Sequence, residues 1–215
     1  MDLVVLKVSG HLINLPNKVK DLMNVVAKLN SERTRIAIVP GGSIFSDLVK
    51  EIQDNTEIDD DTAHWMAIKS MEIYGLYLKH FNTNCVEAYT IDDVYKALSL
   101  RLIPIVMPYQ ILKTNDELPH TWDITSDSIS IFIAKLLRAN MVLLGKMVNG
   151  ITNEKGEIMK IIKSDDIKRQ NVFDSYTINL VKMYKIPLII FNVLRPELLY
   201  KIVSMEEDTY TIVMP

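Results

Sequence analysis

Apolar runs without polar alternation recur at residues 3–8, 35–39, 85–88, 103–107, 141–145 and 188–191, and helix-like stretches separate them. An alternating strand shows water one face, whereas an unbroken apolar strand is covered on both. The pattern therefore predicts an α/β fold, a three-layer α/β/α sandwich with a mainly parallel central sheet, formed as one domain over residues 1–215. Start and stop residues predict helices over 17–29, 44–53, 59–81, 92–99, 126–138, 173–184 and 196–204. Residues 152–156 read as a hairpin tip and 210–213 as a last strand.

Two of these helices are unusual. The stretch 59–81 opens with Asp59, Asp60 and Asp61, which suit the positive end of a helix dipole. It also carries Trp65, Met66, Ile68, Met71, Ile73, Tyr74, Leu76, Tyr77 and Leu78, more apolar surface than one face uses. That excess predicts self-association, most simply a twofold homodimer, or a higher homo-oligomer. In 126–138, Ile129, Ile131, Phe132, Ile133, Ala134, Leu136 and Leu137 leave almost no polar face, so this helix must be buried nearly all round.

Composition narrows the function classes. Hydrophobic residues at 48% and charged residues at 24% of 215 exclude a disordered or fibrous chain. With 27 acidic against 24 basic side chains the net charge is -3, so no global basic field invites nucleic acid. No apolar run approaches the roughly 18 residues of a membrane span. The single cysteine, Cys85, cannot form an intrachain disulfide and reads as a small core residue, and the amino terminus has an acid where a signal peptide needs a base. A cytoplasmic setting is expected, with no nucleic acid or membrane partner.

Glycine is sparse, seven residues in the chain, and five of the seven follow or end a strand-like run. Lys7 interrupts the first apolar strand just before Ser9-Gly10; it either reaches solvent at the strand end or offers an ammonium to an anion at the carboxyl edge of the sheet. Pro40-Gly41-Gly42-Ser43 is either a plain tight turn or a loop whose amides approach a phosphate at a helix amino terminus. Asp123, Thr125, Ser126 and Asp127 lead into the buried helix. Capping accounts for one or two of them, and the remainder suit a solvated turn or a site in which Asp127 orients a lysine or binds Mg²⁺. His64 and His120 each lie within two residues of a tryptophan, Trp65 and Trp122, as structural residues or as part of a binding pocket. Four histidines without ligand spacing make no metal site, and no dinucleotide fingerprint, Walker loop, nucleophile elbow or metalloprotease motif is found.

In order, these segments resemble the amino acid kinase superfamily, whose members pass the ATP γ-phosphoryl group to a carboxylate, carbamate or phosphate. Lys7-Val8-Ser9-Gly10-His11-Leu12 stands where that superfamily has K-x-G-G-S-L, and Val39-Pro40-Gly41-Gly42-Ser43-Ile44-Phe45-Ser46-Asp47 where it has V-P-G-G-G-x-F-A-D. Segments 63–71 and 118–128 are similar to its small archaeal branch, which includes the aminomethylfuran-methyl phosphate kinase of methanofuran biosynthesis. Val148-Asn149-Gly150-Ile151 and Phe191-Asn192-Val193-Leu194-Arg195-Pro196-Glu197 resemble its V-D-G-x and N-G-x-x-P-E segments.

The resemblance implies an ATP-dependent, Mg²⁺-requiring kinase acting on a small anionic acceptor, a phosphomonoester or carboxylate. It implies Lys7 and Asp127 as catalytic residues and Ser9, Gly10, Gly41, Gly42 and Ser43 around the phosphates. His64, Trp65, His120, Trp122, Asp123 and Thr125 would face the acceptor, in an amino-terminal half. Lys146, Asn149, Gly150 and Asn192 would face the nucleotide, from about 140 onward. Ser9, His11, Ser43 and Val193 depart from the superfamily pattern, and they motivate a competing reading: a catalytically reduced nucleotide- or anion-binding member serving as a regulatory or structural subunit.

Overall fold

In the computed structural model, which describes residues 3–32, 34–167 and 171–215, one eight-stranded sheet runs through the molecule. Its strands are β1 (Leu3–Val8), β2 (Arg35–Pro40), β3 (Cys85–Ala88), β4 (Ile103–Val106), β5 (Met141–Lys146), β6 (Ile161–Lys163), β7 (Leu188–Asn192) and β8 (Tyr210–Met214). The order is β3-β4-β2-β1-β5-β7-β8-β6, and every pair is parallel except β7–β8. The helices are α1 (Pro16–Glu32), α2 (Ser43–Thr56), α3 (Asp60–Lys79), α4 (Ile91–Ser99), α5 (Pro108–Thr114), α6 (Ser126–Leu136), α7 (Thr177–Tyr184) and α8 (Leu198–Val203).

The sequence reading anticipates the α/β/α layering and seven of the eight strands. It missed α5, a seven-residue helix opened by Pro108, and β6, a three-residue strand with two exposed residues whose pattern is too short to show a period. The helix expected from residue 173 starts at Thr177, because Asp174 accepts from the Thr177 amide and caps the first turn instead of joining it. The expected hairpin tip is present: Thr152 bridges Ile158 antiparallel, and Gly156 takes a φ of 80°.

Two hydrophobic clusters lie on the two faces of the sheet. α1 and α8 pack on one face through Leu22, Met23, Val26, Leu199 and Ile202. On the other, α6 lies across β1 and β5 with Ile129, Ile131, Phe132, Ile133 and Ala134 buried, as its lack of a polar face demands. A large apolar side chain buried to this degree stabilises by about 1.5–3 kcal/mol. α3 contributes to both clusters, Trp65, Ile68 and Met71 to one and Tyr74 and Leu78 to the other. Most of the apolar excess that predicted a dimer is therefore used within the chain. What remains exposed is Ile73 and Leu76 on α3, together with Ile44 and Leu48 on α2.

Candidate active site

β1 is central, flanked by β2 and β5, and the register sets Lys7 opposite Leu144. Strand side chains alternate with period two, so Lys146 faces the same side as Leu144 and hence as Lys7. That is the side covered by α6, whose first turn carries Asp127. The carboxylate of Asp127 is buried between the two lysines: Oδ2 accepts from Lys146 Nζ, and Oδ1 lies 3.0 Å from Lys7 Nζ in an ion pair poorly angled for a hydrogen bond. Lys7 is only 5% exposed, so it does not snorkel to solvent; the strand-end alternative fails.

Burial alone pushes the Asp127 carboxyl up, but the ammonium groups of Lys7 and Lys146 outweigh it and hold the group below the usual carboxylate range. Lys146 is pulled below the usual lysine value by burial and by the charge of Lys7, with Asp127 and Asp174 opposing. A buried carboxylate that keeps two ammonium groups together concentrates positive charge at the carboxyl edge of a parallel sheet, where open α/β folds bind ligands.

Above the lysines opens a cleft of about 580 Å³ lined by Lys7, Lys146, Thr125 and Ser126, by two loops at Ser9 to His11 and at Gly41 and Gly42, and by Ser43, Ser46 and Asp47 in the first turns of α2. The loops pack on each other. A Cβ on Gly10 would lie 2.4 Å from Ser43 Cα and N, and one on Gly41 would lie 2.8 Å from Gly10 N. Neither glycine has positive φ; each is needed for close approach. Ser43 itself takes φ 56°, the left-handed conformation of a glycine, and its Oγ donates to the Gly10 carbonyl at 3.0 Å. The residue that departs from the expected glycine loop thus ties the two loops together. Gly41 N–H donates to the Val8 carbonyl at 2.9 Å and serves the loop rather than a phosphate. The amino terminus of α2, beginning after Gly42, has no side-chain cap and opens on the same cleft. Its free N–H groups suit an anion.

A smaller cavity of about 90 Å³ adjoins the cleft through Gly42, Ser46, Thr125 and Ser126, and His64 and Trp122 line it with Ile68, Met71 and Ile129. Burial, then the neighbouring His120, brings the His64 imidazole down to about 4, so it is neutral near pH 7 and offers no charge-assisted bond. Trp65 and His120 lie elsewhere. Trp65 is 8% exposed, belongs to the core and borders a groove between α2 and α3. Both ring nitrogens of His120 are engaged, by Asp61 and by Asp116, and its ring stacks on His64 at 4.0 Å. Neither residue lines the Lys7 cleft, and His120 has no free ring nitrogen to offer a ligand.

Asp123 lines a separate hollow, its Oδ1 accepting from Ser175 Oγ at 2.8 Å. Asn192, the last residue of β7, donates at 2.9 Å to Asn149 beyond the end of β5, and Gly150 is buried, its φ of 154° bringing it against Thr211. None of these four lines the cleft. Residues that do, and that sequence reasoning left out of the site, are His11, Ser46, Asp47, Ser126, Met147, Val148, Asn171 and Val172. Also missed was Asp174, whose carboxylate accepts from Thr125, Ser128 and Thr177. The available signal was its spacing, an aspartate three residues before Thr177 at a helix start.

Two lysines steadied by one buried carboxylate, under glycine loops at the edge of a parallel sheet, are the furniture of a phosphoryl-transfer site. The sequence profile of the Amino acid kinase family matches residues 2–192, and the chain belongs to that family. The chain is 30% identical over 210 residues to the [5-(aminomethyl)furan-3-yl]methyl phosphate kinase of Methanocaldococcus jannaschii, covering 96% of this chain and 95% of that protein. It is 23% identical over 243 residues to the uridylate kinase of Buchnera aphidicola subsp. Cinara cedri, covering 98% and 96%. Among solved structures, UMP kinase from Ureaplasma parvum superposes with a TM-score of 0.76 at 18% identity over the whole of both chains. Uridylate kinase from Archaeoglobus fulgidus superposes with a TM-score of 0.75 at 15% identity, covering 99% of this chain and 100% of the other. The resemblance read from the motifs, and the fold it implied, are borne out. Among the described residues no helix is long and apolar enough to cross a membrane.

Proposed function

We propose that this protein is an ATP-dependent kinase that transfers the γ-phosphoryl group to a small phosphomonoester. The observation that carries the reading is the Lys7–Asp127–Lys146 cluster at the floor of a cleft walled by two glycine loops and an uncapped helix amino terminus. An oxygen of the acceptor phosphate attacks Pγ, a new P–O bond forms, and the bond from Pγ to the β–γ bridging oxygen breaks to release ADP. A phosphate oxygen is already an anionic nucleophile, so no general base is needed. The demand falls on alignment and on neutralising oxyanions. Lys7 and Lys146 supply positive charge to the transferring group, and Asp127 fixes where both ammonium groups stand. The uncapped end of α2 and the loop at Gly10 and Gly42 hold phosphate oxygens, with Ser9 and Ser43 shaping the loops.

Mg²⁺ enters this reading on the nucleotide. Among the described residues no three His, Cys, Asp or Glu side chains gather as a metal cage, and both oxygens of Asp127 face lysines. The residues present do not fit a protein-held ion, and a Mg²⁺ bound mainly by substrate phosphates agrees with its ordinary chemistry.

The acceptor body goes to the small cavity beside Gly42 and Thr125. About 90 Å³, mostly apolar, with neutral His64 and Trp122 at its rim, supports a single small ring rather than a nucleoside. The relative from Methanocaldococcus jannaschii acts, by its name, on a furan phosphate. The chain works as a homo-oligomer in the cytoplasm on this reading, through the apolar residues left exposed on α2 and α3.

Titration calorimetry with MgATP, then ADP release with a panel of single-ring alcohol phosphates and UMP, tests the proposal. Turnover with a ring phosphate above that with UMP supports it. Nucleotide binding without turnover on any acceptor would favour the non-catalytic subunit instead, and no nucleotide binding would defeat the kinase reading.

A further inference from the structure

Asp174 touches neither lysine, yet no other described carboxylate gathers so many donors. Its Oδ2 accepts from Thr125 N at 2.9 Å, Thr125 Oγ1 at 2.8 Å and Ser128 N at 3.0 Å. Its Oδ1 accepts from Ser128 Oγ, and from Thr177 N at 2.9 Å and Thr177 Oγ1 at 2.8 Å. Two carboxylate oxygens offer about four lone-pair sites, so six donors fill them. The donors come from two elements: Thr125 caps α6 and Ser128 lies in its first turn, while Thr177 opens α7. One charge therefore satisfies the convergent N–H groups at two helix amino termini, an arrangement favoured by both dipoles.

The consequence for the cleft follows from sequence position. Asp127 lies between Thr125 and Ser128, and Asp174 grips the backbone amides of both. The Cα of Asp127 can therefore move only if one of those charge-assisted bonds stretches. Asp127 in turn sets both ammonium groups. An ordinary cap needs one or two bonds to one helix; here the carboxylate spans from α7 to the turn that carries the lysine anchor. The neighbouring charge of Asp174 also acts on Lys146, in the direction that favours its protonated form.

We propose that Asp174 is a positioning residue: it locks the amino terminus of α6 to α7 and thereby fixes the Asp127 carboxylate that aligns Lys7 and Lys146. The activity arm of its test rests on the kinase reading, and the titration arm does not. In Asp174→Asn, the amide offers one accepting oxygen, and its NH₂ meets N–H donors, so one of the two helices is released. Expected are a fall in kcat of about ten- to a hundredfold with the KM for ATP changed little, as for a small misplacement of reacting groups. Expected too is a Lys146 side-chain titration, followed by NMR, that moves to lower pH as the nearby negative charge is lost. Asp174→Glu keeps both oxygens and should recover part of kcat. Asp93→Asn removes an ordinary cap, the carboxylate half of the capping box at α4 on the far edge of the sheet, and should lower the melting temperature without changing kcat.

Folded Asp174→Asn with wild-type kcat and an unmoved Lys146 titration would overturn the proposal and leave Asp174 a cap like Asp93. If that variant does not fold, Thr177→Val, which removes one hydroxyl on the α7 side and keeps the Asp174 charge, decides by kcat: a fall with the KM for ATP unchanged supports the proposal, and wild-type kcat overturns it. If the wild-type protein turns over no acceptor, the kinase reading has failed, and the lysine titration still judges Asp174.

Discussion

Replacing Gly10 with alanine tests whether the two glycine loops are packed for catalysis or merely adjacent. The new Cβ would stand 2.4 Å from Ser43 Cα and 2.4 Å from Ser43 N, where ordinary contacts begin near 3.4 Å. Both clashing atoms are backbone, so no side chain can swing aside. The loops must part by about 1 Å, which strains or breaks the Ser43 hydroxyl bond to the Gly10 carbonyl and widens the rim over Lys7. Overpacking of this kind costs about 1–3 kcal/mol, and a misplacement of about 1 Å lowers turnover by on the order of a hundredfold. Thermal unfolding and steady-state ADP release measure the two effects. The expected result is a moderate fall in melting temperature with a much larger fall in kcat. Wild-type kcat in a folded Gly10→Ala protein would refute the claim that loop contact sets the phosphate geometry.

The remaining expectations rest on the cleft and on what surrounds it. Asp127→Asn leaves two buried ammonium groups without their anion and should cost about 3–5 kcal/mol of stability, read from denaturant unfolding, besides lowering kcat by a hundredfold or more. Lys7→Met and Lys146→Met should each lower kcat by at least a hundredfold while keeping the fold; full turnover in either removes that lysine from the mechanism. Because Lys146 titrates below the ordinary lysine value, activity should fall on the alkaline side at a pH lower than that of a free lysine. The carboxyl of Asp127 is held down in the folded chain, so its stabilising effect is complete at neutral pH and is lost only as pH falls through that depressed value. His64 works the same way in outcome: the folded chain resists a proton that the unfolded chain accepts, so stability should decline as pH falls from about 6.5 toward about 4, which a melting series shows. His64→Ala should raise the acceptor KM without changing ATP binding, and, since the imidazole is neutral, that effect should persist at pH 8.

Much of this protein was legible in its sequence. Apolar runs such as Leu143-Leu144 and Ile189-Ile190 had to be buried on both faces, and α6 had to be covered all round, because hydrophobic periodicity reports burial directly. Lys7 in an apolar strand and Asp127 at the head of an apolar helix were visible as groups that burial tolerates only in company. What local pattern could not give was who kept that company. Lys146 stood next to a nucleotide-like segment; only the register of β5 beside β1 turns it to the same side as Lys7. The histidine and tryptophan pairs looked alike in sequence, yet helix geometry sends His64 toward the cleft and Trp65, one position on and so about 100° round α3, into the core beside another groove. The apolar surplus of α3 read as a partner surface until the fold laid its two halves on opposite clusters. Asp174 carried no signal beyond a cap, since its six donors come from segments up to 49 residues away and converge only when α6 and α7 meet. Burial is written along the chain because each residue carries its own hydrophobicity, whereas a site is a relation between distant residues, and that relation exists only once the chain has closed on itself.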